Sequence, residues 1–354
     1  MPPAEDPKRS VPPVLFPLLL VGLAAAFLAP YVFLGRSMLP LDLIPVFQPW
    51  ATHARELWDA IPTVHNPLLD ALQQYYPRRV YMREALSQGW LPLWHPYVYG
   101  GTPFAGAQQG AALYPPAWLL ALVPAELQFG WSALLHLSVA GIGSFLFFRQ
   151  LGLRPVPACV GGVAFAFNGF VVAWLAYPNV TQWTLCWLPL AMYCWERGRS
   201  REGDLRWMAV AGAVLALVLL GGHGQSSLYV LLAWGAWALF RSLVSPARGR
   251  MLARGVLLPG ALALLLALGH LLPTLDYVPR TDRSERVPWA SVQMAAMPPS
   301  QLWTMLLPRL FGDNTAQVAQ EFWLPVGKQQ RLTYIERTFY PGASVLVLGA
   351  AALP

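Results

Sequence analysis

Residues 207–240 read WMAVAGAVLALVLLGGHGQSSLYVLLAWGAWALF. Two apolar runs, 207–223 and 225–240, lie on either side of a turn in which Gly221, Gly222 and Gly224 flank His223. Neither run contains Asp, Glu, Lys or Arg. Each approaches the roughly 20 residues that an α-helix needs to cross the hydrocarbon core. Glycines between them permit a sharp reversal, so the stretch predicts two antiparallel membrane helices. Working outward, comparable runs occupy 14–34, 128–148, 156–176, 181–195 and 255–273, and an eighth starts near 342. That eighth run reaches only to Pro354, so the chain is expected to be the N-terminal part of a longer membrane protein. The chain is 56% hydrophobic and 12% charged, against roughly a quarter charged in a soluble domain. The expected fold class is an all-α polytopic membrane protein.

Charge sets the expected orientation, because cytoplasmic loops are enriched in Lys and Arg. With the N-terminus cytoplasmic, that side receives 12 basic residues against five acids, and the opposite side receives 12 of each, so the whole net charge of +7 falls on one face. The first run then reads as a membrane helix, since further spans follow it, and not as a cleaved signal peptide. A nucleic-acid binder would gather its basic residues on a soluble folded surface, whereas here they sit between apolar runs. Cys159, Cys186 and Cys194 all fall inside such runs and read as small buried hydrophobes.

In this topology residues 1–13 form a disordered cytoplasmic N-terminus and 14–354 the membrane domain. Two long external loops follow, 35–127 and 274–340. The first holds AALYPPAWLLALVP (111–124), whose prolines bracket too few residues for a span, so it is expected to lie at the interface. Ion-coupled transporters need ionisable groups at mid-depth. The spans carry only His136, with His223 and His270 near ends. Chemistry is therefore expected at the outer membrane–water boundary.

The most polar stretch of the first external loop begins DALQQYYPRRVYMREALSQG (70–89). Gln73, Gln74 and Pro77 follow Asp70 at helical spacing and share its face. Pro77 has no N–H to donate to Gln73, so one short helix is expected to end before it and another to start with it. The second piece sets Arg79 and Arg83 one turn apart. A carboxylate beside a pair of cations suits catalysis, and equally suits a capped, solvated surface helix. Trp90, Trp94, Tyr97 and Tyr99 follow; such rings stack on sugars and also anchor proteins at membrane interfaces.

Several stretches in order resemble the YfhO-like family of bacterial integral membrane proteins, in the GT-C class of glycosyltransferases. They are DALQQYYP (70–77), GWLPLWHPYVYGGTPF (89–104), AQQGAALYPP (107–116), GGHGQ (221–225), LLPRLFGD (306–313) and YPGASVLVLGAAAL (340–353). The resemblance implies a GT-C-like transmembrane helix bundle with long external loops carrying interfacial helices. It also implies transfer of a sugar from a polyprenyl-phosphate carrier to an envelope glycan or protein, on the outer face of the cytoplasmic membrane. GT-C enzymes place an acid in the first external loop. Asp70 matches that pattern best, and Asp42 in LPLDLIPVFQPW is the runner-up.

Those residue types fit such chemistry. A sugar hydroxyl becomes a good nucleophile as a carboxylate accepts its proton, the role given to Asp70. The leaving phosphate needs its charge stabilised by guanidinium groups or a divalent cation. Arg78, Arg79 and Arg83 are one candidate cluster; Arg280, Arg283 and Arg286 in PRTDRSERVP are the other, with a solvated loop as its plainer reading. Trp94 and Tyr97 are candidate sugar contacts. His223 and Gln225 are candidate contacts to the carrier phosphate or sugar, or parts of a tight hairpin. The competing functions are a non-enzymatic lipid-linked-glycan transporter or assembly scaffold, and a polymerase or ligase that transfers whole glycan chains.

Overall fold

The computed structural model describes residues 14–57, 70–107, 109–175, 182–281 and 299–308, with isolated positions at 12, 289, 310, 340–342, 345–346 and 350–351. The described residues are mostly helical. The principal helices are α1 (Leu15–Phe27), α2 (Tyr76–Ser87), α3 (Pro115–Leu120), α4 (Gln128–Gln150), α5 (Pro155–Ala166), α6 (Leu188–Arg199), α7 (Leu205–Leu220), α8 (Gly224–Leu243) and α9 (Leu258–Tyr277). Among the described residues the only strands are β1 (Trp94–His95) and β2 (Thr102–Pro103), paired antiparallel with His95 opposite Thr102.

Among the described residues three helical stretches are long and apolar enough to cross a membrane: Gln128–Gln150, Pro155–Ala173 and Arg248–Arg280. Helices α1 and α7 are apolar but shorter. The second stretch is interrupted at Asn168, whose side chain accepts the Val171 N–H and caps a new helical start. The run expected over 181–195 begins its α-helix only at Leu188, after a 3-10 turn, with Pro189 in the first turn, where a missing N–H costs nothing.

The helices meet at small residues that let backbones approach. A Cβ on Gly162 would come within 2.8 Å of the Gly141 carbonyl oxygen, joining α5 to α4. One on Gly212 would come within 2.9 Å of the Pro259 carbonyl oxygen, joining α7 to α9. Trp183, Trp195, Met208 and Leu215 fill the core between them. On its opposite side α9 exposes Leu265, Leu272 and Leu275, the apolar exterior that a lipid-facing helix presents.

The expected break at Pro77 does not occur. Residues Ala71–Tyr75 form a π-turn that runs directly into α2, and Tyr76 N–H reaches back to the Ala71 carbonyl. Widening the helix by one residue moves the carbonyl that the proline ring would strike and leaves the missing N–H without a cost. The two short helices read from the sequence are thus one continuous helix. The same device recurs where the π-turn Leu252–Leu257 precedes Pro259 at the start of α9.

Arg197, Arg199, Arg241 and Arg254 gather at one end of the bundle. Gln150 Nε2 donates to Ser200 Oγ, Arg197 donates to Gln150 Oε1, and Glu196 is clasped by Arg199 and Arg241. Arg254 lies against Gly203 at the same end. Stacking of Phe16 on Phe145 and contact of Gly130 with Tyr31 run α1 antiparallel to α4, so the start of α1 joins this end too. The opposite end gathers α2, the 94–114 segment, the His223 turn and the end of α9. His270 Nδ1–H donates to the Ala105 carbonyl, and Gly106 packs against Pro273.

Candidate functional site

The π-turn and α2 together bury Ala71, Tyr75, Arg79, Met82 and Ala85 along one side, and α2 buries Tyr81 on the other. A cation therefore sits where the helix otherwise packs apolar and aromatic groups. Arg79 is 4% exposed, and its Nη1 and Nη2 have no hydrogen-bond partner among the described residues. Its guanidinium lies 4.0 Å above the ring centre of Trp183. Trp183 is fully buried, its Nε1–H donates to Ser132 Oγ at 3.3 Å, and Gly221 presses against its carbonyl. Burial pulls the Arg79 guanidinium down to about 9, with the Tyr114 and Tyr75 hydroxyls raising it and neighbouring Arg78 lowering it further. It therefore stays charged at neutral pH. Removing such a charge from water costs several kcal/mol unless an anion and hydrogen bonds compensate.

Arg78, the neighbour of Arg79, is half-buried and links three segments that are distant in sequence. Its Nη1 donates to Gln109 Oε1 at 3.3 Å, and the Gln109 N–H donates to the Gly222 carbonyl at 2.6 Å. Both Gln109 and Gly222 hold positive φ, 74° and 75°. The left-handed backbone favours glycine at 222, and a Cβ there would come within 3.0 Å of Gln109 N. Burial lowers the Arg78 guanidinium, while Tyr75, Asp70 and Tyr277 act in the other direction. Asp70 therefore lies within electrostatic reach of Arg78. Its carboxylate is exposed, accepts Gln74 Nε2–H at 3.0 Å and makes no cap hydrogen bond. The helix-cap reading of Asp70 does not hold.

Across from α2 stands the β1–β2 hairpin. Tyr81 Oη donates to the Trp94 carbonyl at 2.5 Å, and its ring lies 4.4 Å from His95, with Phe104 5.6 Å away on the imidazole. Strand alternation turns Trp94 outward and His95 inward. His95 is 5% exposed, and its Nδ1 accepts the Tyr97 N–H at 3.3 Å. The proton of the neutral ring then resides on Nε2, which has no acceptor among the described residues. Burial first, and Arg78 second, hold the imidazole below the ordinary histidine value, so it is neutral at pH 7.

The remaining sequence candidates distribute unevenly. Arg83, expected to act with Arg79, is exposed, because four residues along a helix that includes the π-turn's stripe carry it off the buried face. Asp42 is half-buried on the 3-10 turn Leu41–Val46, and Leu39 just before that turn shares a buried cluster with Ala71 and Tyr75. Trp94 and Tyr97 are exposed on the hairpin. His223 caps α8, its Nδ1 accepting the Ser226 N–H at 3.2 Å. Gln225 is exposed and donates to Tyr229 Oη at 2.9 Å. Arg280 is exposed and pairs with Asp276 at 2.8 Å, and Arg286 lies outside the described residues. Among the described residues no group of three His, Cys, Asp or Glu could hold a metal ion.

Sequence reasoning did not single out His95, Gln109, Tyr114 or Trp183. Arg79 carried a usable signal, since Tyr75 and Met82 stand one turn before and after it and mark its position as a packing one. Beneath Arg79, Trp187 Nε1–H donates to Tyr114 Oη at 2.8 Å, Tyr114 Oη meets His136 Nε2 at 2.8 Å, and His136 Nδ1–H donates to the Ser132 carbonyl at 2.7 Å. These groups satisfy one another, and among the described residues Arg79 Nη1 and Nη2 stay without a partner. Burial raises the Tyr114 hydroxyl well above the usual tyrosine range, which keeps it neutral.

Comparison of the chain with protein-family models, curated proteins and solved structures gives no match. The arrangement itself has a definite chemical capacity. A buried guanidinium whose Nη1 and Nη2 have no partner among the described residues, stacked on an aromatic face, can hold an oxyanion in bidentate fashion. The exposed carboxylate of Asp70 lies within electrostatic reach of the neighbouring Arg78.

Proposed function

We propose that the protein is a membrane glycosyltransferase of the GT-C type, moving a sugar from a polyprenyl-phosphate carrier to an envelope glycan or protein. The observation that carries the reading is Arg79, a buried guanidinium whose Nη atoms have no partner among the described residues. A carrier phosphate supplies the missing anion, and its polyprenyl tail suits a site bounded by apolar helices. The order of motifs resembling the YfhO-like family supports the same reading.

In this reading the bundle is polytopic, with the N-terminus and the basic end in the cytoplasm of a bacterial inner membrane. The α2 end then faces outward. Asp70 accepts the proton of the acceptor hydroxyl as the new glycosidic bond forms at the anomeric carbon, with inversion. The bond to the carrier phosphate breaks, and Arg79 and Arg78 stabilise the charge left on it. No group of the protein need protonate that phosphate. Trp94 and Tyr97 present exposed rings for a sugar face.

The test is transfer in the reconstituted full-length protein, with polyprenyl-phosphate sugars as donors and envelope extracts as acceptors, read by mass spectrometry. Single-sugar addition by the wild type is expected. Asp70→Asn keeps the Gln74 contact but removes the proton acceptor, so turnover should fall about 100- to 10,000-fold with unchanged thermal stability. Asp42→Asn should be milder. Normal turnover in Asp70→Asn would remove the base assignment, and transfer of whole chains would indicate a polymerase or ligase. Carrier-linked glycan crossing vesicles without transfer would indicate a transporter.

A further inference from the structure

The Trp183 ring on which Arg79 stacks sits at the end of a chain of hydrogen bonds whose directions are all fixed. Gln182 Nε2 donates to the Leu175 carbonyl at 2.6 Å. A carbonyl can only accept, so this contact settles which end of the amide is nitrogen and leaves Oε1 as an acceptor. Ser132 Oγ lies 2.6 Å from that Oε1, so its hydroxyl proton points at Gln182. The lone pairs of Ser132 Oγ then receive Trp183 Nε1–H, a group that can only donate, at 3.3 Å. All three side chains are buried.

This is not the usual outlet of a helical serine. Ser138, on the same helix α4, donates to the Leu134 carbonyl four residues back, whereas Ser132 reaches a residue 50 positions away. Ser132 also serves a second ring. Its carbonyl accepts His136 Nδ1–H at 2.7 Å, so His136 Nε2 is the acceptor of the Tyr114 hydroxyl at 2.8 Å. The Tyr114 ring lies 5.9 Å from that of Trp183.

We infer that Ser132 and Gln182 are positioning residues of the Arg79 site, acting through Trp183. They give the indole N–H its acceptor, which fixes the rotation of the ring and with it the plane of the guanidinium stacked 4.0 Å above. Without the Ser132 hydroxyl the N–H is left unmatched in a packed interior, and an indole that turns towards another acceptor no longer offers Arg79 its face. The inference rests on the proposal that Arg79 receives a phosphate.

The test uses the purified full-length protein in uncharged detergent, titrated separately with inorganic phosphate and a short-chain polyprenyl phosphate, with affinity read by calorimetry. Arg79→Gln should lower affinity about 100-fold or more, as for loss of a buried charge that meets a charged partner. Ser132→Ala should lower it about fivefold or more, and Gln182→Met, which frees the Ser132 hydroxyl to turn, about threefold or more. Ser132→Thr restores the hydroxyl and should recover most of the affinity. In a Trp183→Phe background no N–H needs an acceptor, so Ser132→Ala should lower affinity no further, whereas a role in packing alone would act by the same factor in both backgrounds. In wild-type protein labelled with 15N-tryptophan, the Trp183 Nε1 resonance, identified by its absence from Trp183→Phe, should move on saturation with phosphate. That readout needs no Ser132 variant to fold. Loss of binding in Arg79→Gln together with wild-type affinity in Ser132→Ala, equal losses from Ser132→Ala in the two backgrounds, or an unmoved Trp183 resonance would overturn the positioning role and leave the Arg79 site standing. Wild-type affinity in Gln182→Met would remove Gln182 from it. Wild-type affinity in Arg79→Gln would overturn the phosphate reading and the positioning role together.

Discussion

The guanidinium of Arg79 lies 4.0 Å above the ring of Trp183, although the two residues belong to segments separated by α3, α4 and α5. Trp183 is itself fixed by its hydrogen bond to Ser132 and by Gly221 against its backbone. The stack replaces part of the hydration that Arg79 loses and sets the plane in which its N–H forks lie. A desolvated cation–π contact is worth about 2 kcal/mol. Trp183→Leu should therefore lower phosphate affinity about tenfold or more and reduce the melting temperature, whereas Trp183→Phe, which keeps an aromatic face, should retain most of the affinity. Equal affinity in the Leu variant would show that the stack does not orient Arg79.

Glu196 on α6 is 1% exposed and holds the other end of the bundle together. Its Oε1 accepts from Arg241 Nε at 2.8 Å and Trp237 Nε1 at 3.1 Å, and its Oε2 accepts from Arg199 Nε at 2.7 Å. Removing one partner of a buried ion pair costs about 3–5 kcal/mol because the rest stays behind uncompensated. Glu196→Gln should lower thermal stability by an amount in that range. Arg199→Gln, at the partly exposed side of the cluster, should cost much less. A melting temperature unchanged in Glu196→Gln would show that α6 and α8 do not depend on this clasp.

His95 predicts a pH dependence. Its neighbours are the Tyr81, Tyr97 and Phe104 rings and the charge of Arg78, and its folded value lies below the ordinary one through burial and that charge. Above about pH 6.5 neither folded nor unfolded protein protonates this ring. As the pH falls below that value, the unfolded chain takes a proton that the folded ring refuses, so stability falls. Wild-type protein should lose melting temperature more steeply than His95→Phe between about pH 7 and pH 5. Parallel curves would place the His95 ring in an ordinary, solvated environment.

The arginines around Glu196 predict an orientation, with that end of the bundle in the cytoplasm. Single cysteines introduced near Arg201 and Arg250, in a cysteine-free background, should be shielded from an impermeant thiol reagent in intact spheroplasts, and one near Glu84 should react. Labelling near Arg201 with silence near Glu84 would reverse the orientation and move the Arg79 site to the cytoplasm.

Much of the helical framework was legible in the sequence. The run expected over 128–148 is the helix Gln128–Gln150, and the runs over 207–223 and 225–240 are α7 and α8 joined at the His223 turn. The misreading at Pro77 has a local cause, since the sequence pattern marks where a proline breaks α-helical pairing but does not say whether a π-turn will absorb the defect. The pairing of Arg79 with Arg83 failed for a different reason. Spacing places residues on a helix face, but which face is buried depends on the neighbours that cover it, here Trp183, on which Arg79 stacks.

By itself the sequence determined the apolar runs and most of their helical state, because a helix in an apolar setting satisfies its backbone within its own segment. Tertiary structure decided which cation is buried, which histidine nitrogen carries the proton, and how Gln109 joins Arg78 to Gly222. Those outcomes depend on groups brought together from distant parts of the chain. That Arg79 Nη1 and Nη2 find no partner among the described residues is likewise a property of the assembled neighbourhood, and no local stretch of sequence records it.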